Sequence, residues 1–232
     1  ALFVHWFSQQ LWAWKIATNI DLFPNATGLR GDATWMTQTS LPHDNQPAAV
    51  ADINTNPNTP RVNSWDESFY YLGILAREYQ DGIAQYASNA SGFGEYEFRL
   101  WPYVISHDPT LAPQLPSSLP TAALYEGIGW APMRSDWSTD ATFGMFVCGR
   151  YFAGHQHHDQ NQFIIHKKGT LAIDAGEYGA RATECHNTIR IGGNQRMDGM
   201  PNGNDPMRYV GDPKIDPGGQ CYTGSILAYQ HA

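Results

Sequence analysis

Three cysteines in 232 residues, Cys148, Cys185 and Cys221, are too few and too scattered to build a disulfide framework. Positive charge is also scarce. Fourteen Lys and Arg face 22 Asp and Glu, and the formal net charge of -8 argues against a nucleic-acid or anionic-membrane partner. No apolar run is long enough to span a membrane, and no segment resembles a signal peptide. Neither C-x-x-C nor H-E-x-x-H occurs, so the common cysteine-zinc and metalloprotease patterns are excluded. No internal repeat is present. The chain starts without Met, at apolar Ala1-Leu2-Phe3-Val4, and stops in a strand-like run, Ser225 to Tyr229. Both ends read as cuts in a longer protein.

What is there is globular: 42% of residues are hydrophobic and only 16% charged, enough for one large or two modest domains. Aromatic content is 13%, with eight Trp and twelve Tyr, which suits a sugar-stacking surface and a large core equally well. Helical spacing of Leu2, Phe3, Trp6, Phe7, Leu11, Trp14 and Ile16 predicts a helix over 1–20, with those residues as its core face. A lesser reading gives Trp6, Trp12 or Trp14 to sugar binding. Thr34 to Leu41 is a second, weaker helix, and Pro- and Asn-rich His43 to Arg61 is a long loop. Ser64-Trp65-Asp66-Glu67 is a capping box, after which Phe69, Leu72, Ala76, Tyr79, Ile83 and Tyr86 mark one helix.

From Gly92 the period shortens. Glu95 to Ile105, Tyr125 to Trp130, Met133 to Trp137 and Thr142 to Tyr151 alternate or run apolar between turns, with Pro109 to Pro120 as a linker. The expected class is α+β, helical over 1–92 and an antiparallel β-sandwich over 93–232. Gly192 to Gly219 reads as loop, and Asn202-Gly203-Asn204-Asp205 lacks the spacing of a calcium loop.

The chemistry concentrates in GHQHHDQNQFIIHKKGTLAIDAG, from Gly154 to Gly176, followed by His186-Asn187-Thr188-Ile189. Five of nine histidines fall between 155 and 186. Gln162 to His166 and Thr170 to Asp174 read as two strands turning at Lys167-Lys168-Gly169, which brings the His-rich end near Asp174. His186 opens a third run, Asn187 to Ile191, aimed at the same corner. Two imidazoles and one carboxylate on adjacent strand ends match a zinc site with one open position; a solvated His-rich loop explains the cluster equally well. Strand alternation sends His155 and His157 to one face and His158 to the other. By the same rule Cys185 points away from where His186 points.

These blocks, G-H-Q-H-H-D-Q-N-x-F, then L-x-I-D-A-G-E-Y, then H-N-T-I, resemble the signature of the heparinase II/III-like polysaccharide lyases, a family that includes heparinase II and several alginate lyases. The match is clearest over Gly129 to Arg190. The resemblance implies a structural Zn2+ on His157, Asp174 and His186, with His155 facing substrate as the catalytic residue. It implies an α/α toroid whose last helices are residues 1–92, ending in a phrase like Ile20-Asp21-Leu22-Phe23, followed by the sandwich. It also implies that a catalytic tyrosine lies upstream of Ala1, and that the protein is a bacterial secreted or periplasmic enzyme. The reaction would be β-elimination on an acidic polysaccharide containing uronic acid, such as heparin, heparan sulfate or alginate. Tyr178, Arg181 and Arg134 are candidate substrate contacts. The net charge of -8 opposes a polyanionic substrate, and His166-Lys167-Lys168 or Arg181 are the local cations available to offset it. Two other classes fit the residues: a cupin-like metalloenzyme, and a non-catalytic carbohydrate-binding module.

Overall fold

The computed structural model describes residues 2–42, 48, 66–90, 101–149, 159–172, 186–188 and 226–230. Among the described residues are helices and a four-stranded antiparallel sheet, in keeping with the α+β class. Two compact units emerge, Ala1–Thr37 with Asn56–Leu119, and Gln38–Thr55 with Pro120–Ala232. No helix among the described residues is long and apolar enough to cross a membrane.

The first unit is helical: α1 (Leu2–Thr18), α2 (Asp32–Thr39, running into the second unit), α3 (Asp66–Tyr79), α4 (Gly82–Ala90) and α5 (Trp101–Ser106). α3 is its centre. Residues 71–76 are buried without a break, so this helix is covered on every side rather than along one stripe. Each of Leu72, Ile74 and Leu75, almost fully removed from water, contributes about 1.5–3 kcal/mol of burial. α1 forms where expected but in another phase. Ser8, Leu11 and Trp12 are buried, whereas Trp6 (59% exposed), Trp14 (50%) and Ile16 (67%) face outward. The crowded aromatics fit two helix phases, and the chain buries the one carrying Lys15, whose ammonium bridges Glu78 and Asp21.

The single helix expected across Phe69 to Tyr86 is two. Gln80 takes a left-handed conformation (φ 53°), and Asp81 Oδ1 accepts from the backbone N–H groups of Ile83 (2.8 Å) and Ala84 (3.1 Å), capping a new helix. An unbroken apolar stripe hides such a break, while the Asp-Gly pair announces it. The run at Glu95 to Ile105, expected as strand, is helical over Trp101–Ser106. The Pro-rich stretch after it is anchored, with Gln114 N–H donating to Gly82 O (2.8 Å). Ser64 and Trp65 of the capping box, and nearly all of the 43–61 loop, lie outside the described residues.

Within this unit Asp32 is half-buried and accepts a hydrogen bond from the Tyr71 hydroxyl. Burial raises its pKa above the ordinary carboxylate value, with the Tyr71 bond opposing. A raised folded-state pKa means that the folded chain holds its proton longer than the unfolded one. Stability is therefore lost as pH rises from the usual carboxylate range through the raised value. Asp32→Asn, which keeps an oxygen for Tyr71 and cannot ionise, is expected to gain on the parent over a pH range that begins at the usual carboxylate value and extends upward. Thermal melts across that range check this; parallel curves would contradict it.

The second unit carries the sheet, a meander in the order β1 (Trp130–Arg134), β2 (Phe143–Val147), β3 (Gln162–His166), β4 (Thr170–Ala172). Register runs Trp130↔Val147 to Arg134↔Phe143, then Phe143↔His166 to Val147↔Gln162. β2 and β3 bury alternate residues. Phe143, Met145, Val147 and Ile164 thus share one face, packed with Ala48, Leu41 and Trp130. Pro132 is tolerated because β1 is outermost in the ladder; its carbonyl accepts from Ala123 N–H (3.1 Å) where no donor is needed.

Candidate functional site

The expected hairpin forms. β3 turns into β4 through Lys167-Lys168-Gly169, with Lys167 N–H donating to Gly169 O (2.9 Å) and Lys168 and Gly169 both at positive φ. At the opposite end of β3, Asp159-Gln160-Asn161-Gln162 closes a turn, Gln162 N–H donating to Asp159 O (3.1 Å). Asn161 takes the left-handed position (φ 62°), which asparagine tolerates better than most residues.

This turn is clamped to the segment after β2. Gly149 N–H donates to Gln160 Oε1 (2.5 Å), and the Asn161 backbone N–H reaches the Cys148 thiol, which is buried and raised in pKa chiefly by that burial. Cys148 and Gly149 in turn lie hard against Ile128 and Gly129. Cys148 N–H donates to Gly129 O (2.8 Å), and a methyl group on either glycine would overlap the other segment's backbone. Gly129 is at φ 68° as well.

His186-Asn187-Thr188 docks beside the same end of β3, with Asn187 O accepting from Phe163 N–H (3.2 Å). Residues 159–163 and the H-N-T block therefore meet at the N-terminal end of β3. Asp159, Gln160, Gln162 and His186 are all buried there. Of the expected metal ligands only His186 is among the described residues; His157 and Asp174 lie outside them, as do His155, Tyr178 and Arg181. Among the described residues no three His, Cys, Asp or Glu are gathered to hold a metal. Two neutral imidazoles and one carboxylate are a donor set of the kind zinc takes, and His186, the one member of the expected set that is described, is buried.

The lysines of the hairpin do not serve this corner. Lys167 Nζ donates to Thr142 Oγ1 (3.0 Å) and Lys168 pairs with Asp140 (3.0 Å), at the far end of β3, about 13 Å along the strand from Gln162. His166 turns inward on the core face, beside Phe143 in register.

Arg134 ends β1. Its Nη2 donates to the carbonyls of Gln38 (3.0 Å) and Ser40 (2.7 Å), and its guanidinium lies 4.0 Å from the Trp137 ring centroid and 5.3 Å from that of Phe143. Burial lowers its pKa to about 10, with Asp136 opposing, so it remains charged at neutral pH. Tyr125, which sequence patterning did not single out, hydrogen-bonds Gln38 Oε1, and Gln38 Nε2 donates to Pro120 O (3.1 Å). This network ties the 38–42 segment to β1. It involves pairs more than eighty residues apart, which no local pattern signals.

No protein-family model matches the chain, and no curated protein does. Among solved structures, a heparinase III is similar at 16% identity and TM-score 0.47, over 71% of this chain and 26% of that one. Heparan sulfate lyase HepC from Pedobacter heparinus is similar at 16% identity and TM-score 0.43, over 65% of this chain and 20% of that one. The chain thus spans about a quarter or less of the length of these structures. Similarity of this extent assigns neither a family nor an activity.

Proposed function

We propose that this chain is part of a polysaccharide lyase that cleaves acidic, uronic-acid-containing polysaccharide by β-elimination. The observation that carries the reading is the meeting of two sequence blocks, D-Q-N-x-F and H-N-T, at the N-terminal end of β3, joined by the Phe163–Asn187 hydrogen bond. In this reading the helical unit closes an α/α toroid, the sheet belongs to a β-sandwich, and the enzyme is secreted or periplasmic.

The reaction removes the C5 proton of a uronate, forms the C4=C5 double bond and expels the 4-linked oxygen, which takes up a proton. C5–H is weakly acidic, so cationic or hydrogen-bonding groups must neutralise the uronate carboxylate as enolate charge develops. His155 is proposed to face that carbon, since an imidazole that titrates near neutrality suits proton transfer. Tyr178, Arg181 and Arg134 are proposed substrate contacts; Arg134 would offer only N–H groups left over from its bonds to Gln38 and Ser40. His157, Asp174 and His186 would hold a zinc ion whose role, when bound, is to fix the strand ends that present His155.

The test is to incubate the complete gene product with heparan sulfate, heparin and alginate and follow the ultraviolet absorbance of unsaturated uronate ends. Product from at least one polymer, reduced about 100-fold or more in His155→Ala, is the expected outcome. Saccharide binding without any unsaturated product would favour a carbohydrate-binding module instead.

A further inference from the structure

Gln162 poses a problem that the fold alone does not solve. Its side chain is 0% exposed, yet neither its carboxamide oxygen nor its nitrogen has a hydrogen-bond partner. Buried side-chain amides are nearly always satisfied, so an orphan of this kind calls for an explanation, such as a group that arrives later. Its backbone position is fixed from two sides, by the turn from Asp159 and by the register with Val147. The side chain is on the buried face of β3, the face that also carries Ile164 and lies beside Val147 and Met145. The next residue, Phe163, is the one bonded to Asn187, which places buried His186 at the same end of the strand.

We infer that Gln162 is a positioning residue for the His186 corner, its carboxamide taking a hydrogen bond from the ring N–H of a metal-bound imidazole once an ion draws the corner together. This rests on the zinc reading above. An imidazole that gives one nitrogen to a metal keeps an N–H on the other, and that N–H is normally held by an acceptor that fixes the ring's tautomer and orientation. A carboxamide does this without adding a second ionisable group to a buried place.

The experiment compares the wild-type complete gene product with Gln162→Met, which preserves length without polarity, and with Gln162→Glu, which preserves the acceptor. Zinc affinity is measured by competition with a chromophoric chelator, and thermal stability is measured in the metal-free form. Gln162→Met is expected to melt at or above the wild-type temperature without metal and to bind zinc about 10–100-fold more weakly. Gln162→Glu is expected to retain most of the affinity. If Gln162→Met fails to fold, Gln162→Leu takes its place. Unchanged zinc affinity in the apolar variant would overturn the inference while leaving the zinc reading intact. A lower melting temperature in the metal-free apolar variant would also overturn it, by showing that the amide is already satisfied in the fold. Absence of zinc binding in the wild type would remove the zinc reading and this inference together.

Discussion

Gly149→Ala is expected to destabilise the sheet unit by about 3–5 kcal/mol, a loss at the upper end of single substitutions. The new Cβ would overlap the carbonyl of Ile128, and that obstacle is backbone, so no rotamer change relieves it. Relief requires the segment after β2 to move away from residues 128 and 129, which stretches the Cys148 N–H to Gly129 O bond (2.8 Å). The same movement pulls Gly149 N–H from Gln160 Oε1, the bond that clamps the turn into β3. Gly129→Ala strikes the same contact from the other side and adds the strain of a methyl group at φ 68°. Because either substitution opens one shared contact, the double variant is expected to cost less than the sum of the singles. Denaturant unfolding monitored on the sheet unit checks both; a change within about 0.5 kcal/mol for Gly149→Ala would mean that the two segments do not approach as described.

His186→Ala is expected to abolish the dependence of stability on metal. A zinc ion bound to the folded chain and not to the unfolded one adds its binding free energy to folding, several kcal/mol and up to roughly 10 in strongly bound sites. Chelation of the wild type should therefore lower its melting temperature substantially. In His186→Ala the metal-free and zinc-supplemented proteins should melt together, both near the chelated wild type. His186 is the informative member of the proposed ligand set to remove, because its segment docks on β3 through a backbone bond, Phe163 N–H to Asn187 O, that the substitution leaves alone. A chelator-sensitive His186→Ala protein would place the ion elsewhere.

Local pattern carried the parts of this fold whose causes are local. The β3–β4 hairpin was legible from alternation on either side of Lys167-Lys168-Gly169, and α1 and α3 from helical spacing. The phase of α1 was not, since its apolar residues nearly encircle the helix and only the Lys15 bridge to Glu78, sixty-three residues away, shows which side is inward. The break at Gln80-Asp81 was missed because an apolar stripe continued across it. At the corner itself the residue types were legible, and His186-Asn187 lies beside the start of β3 through the Phe163 N–H to Asn187 O bond. The clamp that fixes it was not legible: the contact of Gly129 with Gly149 and the bond of Gly149 to Gln160 join loops whose sequences carry no mark of each other. The orphaned amide of Gln162 was equally silent, because strand alternation says only that the residue is inward.

The most direct test of the corner is elemental analysis of metal in the purified protein, prepared without chelators, beside His157→Ala and His158→Ala. The account predicts about one zinc per chain in the wild type and in His158→Ala, and none in His157→Ala. Zinc lost from His158→Ala but kept by His157→Ala would reverse the ligand assignment. A folded wild type with no metal would contradict the corner as a zinc site and leave a saccharide-binding module as the stronger account.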